Sequence, residues 1–367
     1  MITPPHCSLT RVARFPGLRA LAWAGDHLYA SRGYHLLRAR FQNKVQNPTD
    51  DLAWQPVARF RPAWRRVLST RTRLTARLFR DGFHALAVLP SGGLVAAVPG
   101  AIVTLRPNET EFRVTHTLTR GTRPLHIAAV PGGTVFWGEY FDNAARDQVH
   151  IYASTDHGAT WSVAYTFPKG DIRHVHNIVH DPWGDCLWVL TGDYGDECRI
   201  LRAACDFSRV EVVLRGNQQA RAVALVPMDD GLYFSSDTPL ESNHIYRLDR
   251  GGALSQLAPI PSSSIYGCRV GRQVFFSTMV EPSEVNRDRH VRIFVGSSGS
   301  NASQSTGTPL LKWNPVLEWK KDRWPMGLFQ YGNAFLPGGN NATPYLAVTT
   351  IAVESDDQVT SLYSVNS

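Results

Sequence analysis

Along nearly its whole length the chain runs in short stretches that alternate apolar and polar residues, each broken by Gly, Pro, Asp or Asn. A period of two sends successive side chains to opposite faces, so each stretch predicts a β-strand with one buried face. Some stretches, such as LVAAV from Leu94 and CLWVL from Cys186, are apolar throughout and predict strands covered on both sides.

These strands recur as a unit. An inner strand, a turn and a second strand can be read seven times: RALAWAGDHLYAS from Arg19, HALAVLPSGGLVAAV from His84, HIAAVPGGTVFWGEY from His126, HNIVHDPWGDCLWVLTGD from His176, RAVALVPMDDGLYFSSD from Arg221, YGCRVGRQVFFST from Tyr266 and NAFLPGGNNATPYLAVTT from Asn333. A third strand follows in each (HLLRARF, AIVTLRP, VHIYAS, CRILRA, HIYRLD, VRIFVG, SLYSV), and a fourth closes six of them, as in WQPVARF from Trp54 and WNPVLEW from Trp313. The seventh copy of that fourth strand is missing after the last unit and present at the other end of the chain, as SLTRVARF from Ser8. The predicted fold is therefore all-β: a seven-bladed β-propeller of four-stranded antiparallel blades, closed by an N-terminal strand that completes the last blade and leaves no open sheet edge. One domain spans residues 1–367, with insertions at 61–83 and 298–312.

Composition agrees with a packed core and excludes disorder: 43% of residues are apolar and 19% charged. No run of about 18 apolar residues predicts a membrane span. The segment MITPPHCSLTRVARF lacks a basic region followed by an apolar one, so the expectation is a cytoplasmic protein, and a mature secreted form would read the same. Five cysteines, Cys7, Cys186, Cys198, Cys205 and Cys268, without CxxC spacing predict reduced thiols rather than disulfides or a zinc knuckle.

The net charge of +7 permits an acidic partner. Much of it is local: Arg59, Arg61, Arg65, Arg66, Arg71, Arg73, Arg77 and Arg80 crowd one stretch. Apolar residues at Trp64, Val67, Leu68, Leu74 and Leu78 give that stretch a partial helical period, which predicts either a short basic helix over the top face or a solvated insertion. Nucleic acid is not an expected partner, because aromatic residues are not interleaved with the basic ones. The expected state is a monomer.

From Ser154 the sequence reads STDHGATW, which matches S-x-D-x-G-x-x-W in full. On this motif the chain resembles the sialidase-like (BNR, or Asp-box, repeat) propeller superfamily. The resemblance implies a turn between the third and fourth strands of a blade, with Asp156 and Trp161 structural rather than catalytic. It covers one blade, and the arginine triad, Tyr/Glu nucleophile pair and acidic donor of sialidases find no residue-by-residue counterpart here.

In a propeller the loops entering the inner strands share one face with the loops between second and third strands. The residues opening the inner strands, Arg19, His84, His126, His176, Arg221, Tyr266 and then Gly332 or Asn333, predict a polar ring around the axis. The second-to-third loops add Glu139, Tyr140, Asn143, Asp193, Asp237, Asn243 and Glu281, and the entering loops add Arg123, Arg173 and His174. Such a rim suits an anionic oligo- or polysaccharide. Cleavage of a uronate by elimination needs its carboxylate neutralised, a base and an acid. Arg221 and Arg173 are the candidates to hold the carboxylate, His126 or His176 to act as base, and Tyr140 or Tyr266 as acid; Arg19, His84, Arg123, His174, Asn143, Asp193, Asp237, Asn243 and Glu281 would bind substrate. A glycoside hydrolase would instead use a carboxylate pair, Glu139 with Asp193 or Asp237. A third reading places one divalent metal ion on His84, His126 and His176. A fourth is a non-catalytic propeller that binds glycan or protein through the same rim.

Overall fold

The computed structural model describes residues 8–41, 54–297, 313–326 and 328–366. Seven sheets form the ring, and each blade runs antiparallel from its inner to its outer strand. The fourth blade is representative: Val175–Asp181, Cys186–Thr191, Arg199–Ala203 and Val210–Arg215 pair in sequence order. Burial follows the alternation. The second strand is fully buried because neighbouring blades cover both its faces, whereas the outer strand buries little. Apolar clusters lie between adjacent blades, such as the one joining Phe136 and Ile151 of the third blade to Leu187 and Leu201 of the fourth.

Closure follows the expected route. Ser8–Pro16 pairs antiparallel with Val359–Asn366 and supplies the outer strand of the seventh blade. A second tie was not foreseen. The stretch after Pro337 leaves its own blade, and Gly338–Asn341 pairs in parallel with the inner strand of the first blade, Arg19–Gly25. Gly339 makes this possible: its φ is +86°, and a Cβ there would sit 2.2 Å from the Trp23 carbonyl oxygen. The inner strand of the seventh blade is correspondingly short, Asn333–Phe335.

The motif from Ser154 forms the turn between Val149–Ser154 and Ser162–Phe167. The Asp156 carboxylate accepts from Ser154 Oγ, the Ala159 and Thr160 amides and Thr160 Oγ1, a structural use of the side chain. The insertion at 61–83 forms two short helices, Trp64–Ser69 and Arg73–Phe79. The insertion at 298–312 lies outside the described residues, as does Cys7.

Candidate functional site

A cavity of ≈ 300 Å³ opens at the axis where the inner strands begin. Five of the predicted ring residues line it, Arg19, His84, His176, Arg221 and Tyr266, and of the two alternatives for the seventh position Asn333 does. The second-to-third loops contribute Tyr140, Asp193, Asp237 and Glu281, so both predicted loop sets do meet on one face. A neighbouring cavity, lined by Arg173, His174 and Asp142 among others, shares Tyr140 and Asp193 with the first.

The ring is not strictly equivalent from blade to blade. The first, fourth, fifth and sixth inner strands each carry a bulge, which leaves Leu21, His176, Val223 and Ile265 without a ladder partner. Counted from that bulge, Arg19 and Arg221 lie two residues before it, His176 lies on it and Tyr266 one after it. A bulge takes a side chain out of the alternation, a displacement that the spacing of the repeat does not carry.

On one side of the axial cavity the residues are basic. Arg19 Nη1 lies 3.4 Å from His84 Nδ1, and its guanidinium stacks 4.1 Å from the centre of the Phe335 ring. His84 Nε2 donates to the Arg80 carbonyl at 2.6 Å, so Nδ1 is left to accept from Arg19. Burial, followed by Arg123 and Arg19, pushes the His84 imidazole well below its usual range. Burial and then Arg19 push the Arg123 guanidinium down to about 10. Arg80, which the sequence reading omitted from the rim, also lines the cavity. It stands four residues ahead of His84, as Arg123 and Arg173 stand three ahead of His126 and His176, and that recurrence was the available signal.

The other side holds acids. The Asp237 amide donates to the Arg221 carbonyl at 2.8 Å, and its carboxylate lies 3.7 Å from the Arg221 guanidinium. Burial pushes the Asp237 carboxyl up to about 7; Arg221 opposes this and Glu281 adds to it. Burial likewise raises Glu281. Burial, Asp193 and Asp237 push the Tyr140 phenol up to about 12, so it is a neutral proton donor. Asp193 is held 3.1 Å from Arg173 and 3.2 Å from Arg221. Its position is fixed by Gly192, which has φ +106° and no room for a Cβ against the Glu197 carbonyl.

Several candidates are placed elsewhere or are already engaged. Glu139 is not a free carboxylate, since Arg120 takes both of its oxygens and the His150 amide donates to one at 2.8 Å. Asn143 caps its own loop through the Asp147 amide and carbonyl. Asn243 is buried among Ser236, Thr238 and Asn286. His126 does not line the cavity. Its ring meets Tyr266 of the sixth blade at 6.2 Å, and burial pushes the imidazole down to about 4. His84, His126 and His176 do not converge: His84 has both nitrogens engaged, and the donor cluster that includes His176 is completed by His174 and Asp193.

In that cluster His174 Nδ1 donates to the Phe141 carbonyl and His176 Nδ1 to the Ala222 carbonyl, each at 3.0 Å. The two Nε2 atoms then face each other at 3.1 Å, with Asp193 oxygens 3.5 and 3.4 Å away. The His176 Nε2 predicted from sequence as a base is thus turned toward His174 and Asp193 instead of standing alone at the cavity wall.

No family model matches the chain, and neither does any curated protein. Solved structures do match. A chain of a mitotic checkpoint complex aligns over 100% of this chain and 95% of its own with a TM-score of 0.58 and 10% identity. The Myceliophteria thermophila Cps50 (Swd1) β-propeller domain aligns over 98% of both chains with a TM-score of 0.55 and 11% identity. An ancestral GH74 enzyme aligns over 98% of this chain and 47% of its own, with a TM-score of 0.57 and 11% identity. At such identities the likeness is one of fold, and one fold carries many sites.

Proposed function

We propose that this chain is a carbohydrate-active enzyme that cleaves an anionic, uronate-type saccharide in the axial cavity by β-elimination. The observation that carries this reading is that one cavity is lined both by the guanidiniums of Arg19, Arg80 and Arg123 and by the proton-transfer groups Tyr140, Asp237 and Glu281. Guanidiniums in a partly enclosed site bind a sugar carboxylate and absorb the charge that develops when the neighbouring carbon loses its proton. Asp237, poised near 7, is matched to take that proton in neutral solution. The electron pair left behind forms the double bond as the glycosidic C–O bond breaks, and the neutral Tyr140 phenol gives its proton to the departing oxygen.

A second reading, hydrolysis, is favoured by one observation. Asp237 and Glu281 are both raised by burial, and Glu281 raises Asp237 further, so one of them can stay protonated as an acid while the other activates water. The pair named from sequence, Glu139 with Asp193 or Asp237, loses Glu139 to Arg120. The GH74 likeness, being one of fold, does not choose between elimination and hydrolysis.

The test is incubation with uronate-containing oligosaccharides, followed by absorbance of the unsaturated product and by mass spectrometry. An unsaturated product that disappears in Asp237→Asn and Tyr140→Phe supports elimination, and a product heavier by one water supports hydrolysis. Binding without any product would overturn the enzyme reading in favour of a glycan-binding propeller.

A further inference from the structure

The geometry points to a binding site for one first-row divalent transition-metal ion on His174 Nε2, His176 Nε2 and an Asp193 carboxylate oxygen, between the two cavities. The reasoning starts from tautomers. A backbone carbonyl only accepts, so the bonds to Phe141 and Ala222 each require a proton on Nδ1. Both Nε2 atoms of the neutral rings are then bare lone pairs, aimed at each other at 3.1 Å in a buried place. Two acceptors and a carboxylate in that position repel unless something positive lies among them.

The spacing fits a metal. The Nε2–Nε2 separation of 3.1 Å corresponds to an N–metal–N angle of about 95° at bond lengths of ~2.1 Å. Each ring has its own Asp193 oxygen beside it, Oδ2 at 3.5 Å from His174 Nε2 and Oδ1 at 3.4 Å from His176 Nε2, with one carboxylate oxygen within 4.8 Å of both nitrogens. Two imidazoles and one carboxylate on one side of an ion form a donor set that leaves other positions open. The Nδ1 bonds to carbonyls are the outer contacts that metal-bound histidines make to fix ring orientation. Charge agrees as well. The ion-pair network around Asp193 joins Asp142 and Asp237 to Arg173 and Arg221, with Glu281 beside them. Asp193 is thus one of several acids gathered about the two imidazoles, an environment that suits a cation. The competing occupant is a single proton shared between the two rings.

The site stands apart from the saccharide reading, because metal uptake is measured without substrate. Full-length protein is stripped with chelator, loaded with Co²⁺ or Zn²⁺ and desalted. The expected result is one equivalent retained, with visible Co²⁺ d–d absorption, and retention weakened roughly a hundredfold or more in His174→Ala and His176→Ala, beyond what loss of an outer contact costs. Should those variants fail to fold, electron paramagnetic resonance of the Cu²⁺-loaded wild type decides, with nitrogen hyperfine structure from two imidazoles expected. Less than a tenth of an equivalent retained, uptake unchanged in the folded histidine variants, or a Cu²⁺ spectrum without two imidazole nitrogens would overturn the proposal and leave the shared proton.

Discussion

Asp237 is the residue at which burial does most to set chemistry, and it makes stability and activity depend on pH in opposite directions. Its folded carboxyl titrates at about 7, against ~3.9 in the unfolded chain. Between those values the folded state binds more protons than the unfolded one, so stability falls as pH rises and levels off above the folded value. Asp237→Asn removes this loss. The melting temperature of the variant should exceed that of wild type by several degrees at pH 8 and match it near pH 4, as differential scanning calorimetry would report. Activity should move the other way: turnover in wild type rises through about pH 7 as the base ionises, and Asn lowers kcat by ~10²–10⁴. Arg221→Ala should also lower kcat/KM, since it leaves Asp193 and Asp237 without their shared guanidinium. Most of the residues that line the axial cavity were legible in the sequence, because strand starts and loop positions follow from the repeat, although Arg80 was missed and His126 does not reach the lining. The sequence could not show which of them are free. Glu139 is lost to Arg120 through a contact between side chains nineteen residues apart, and the tautomers of His174 and His176 depend on carbonyls from a loop of the third blade and the inner strand of the fifth. No local pattern encodes either.

Among the elements, the helical insertion shows where periodicity misleads. An apolar stripe at Trp64, Leu68 and Leu74 suggests the face turned toward the protein, yet Trp64 is 66% exposed and Leu74 52%. Arg77 is instead fully buried, paired with Asp322 and stacked 4.3 Å from the Trp324 ring centre. Tertiary pairing overrides the stripe: the carboxylate and the indole face offset part of the cost of burying the guanidinium, whose Nε and Nη2 find no hydrogen-bond partner, and its removal strands Asp322. Arg77→Met should therefore destabilise the protein by about 3 kcal/mol in urea unfolding, partly offset because Lys321 also reaches Asp322 at 2.5 Å. Arg80 follows directly and lines the cavity. The same variant should raise KM more than it lowers kcat, since the insertion positions a binding arginine and not the proton-transfer groups.

For the molecule as a whole, ring closure decides whether the blades unfold together. Each blade buries its faces only against its two neighbours, so an open ring exposes the faces and edge of the terminal blade. Two ties prevent this: eight residue pairs between Ser8–Pro16 and Val359–Asn366, and the parallel run of Gly338–Asn341 on the first blade. The ion pairs of Arg11 and Arg14 with Asp356 lie at the surface and add little. The apolar contacts add more, notably Phe15 against Trp54 of the first blade, with ring centres 5.3 Å apart. Deleting residues 1–16 removes the first tie and leaves the second. If closure by the outer strand is what couples the blades, the truncated chain should lose the single sharp calorimetric transition, unfold over a broad range beginning at lower temperature, and self-associate through the exposed edge of Val359–Asn366 on size exclusion. Adding the peptide SLTRVARFP at millimolar concentration should restore the sharp transition in proportion to its occupancy, because only the covalent link was cut and the groove is intact. A truncated chain that melted as sharply and as high as the full one would mean that the parallel tie holds the ring by itself, with the outer strand serving to cover an edge.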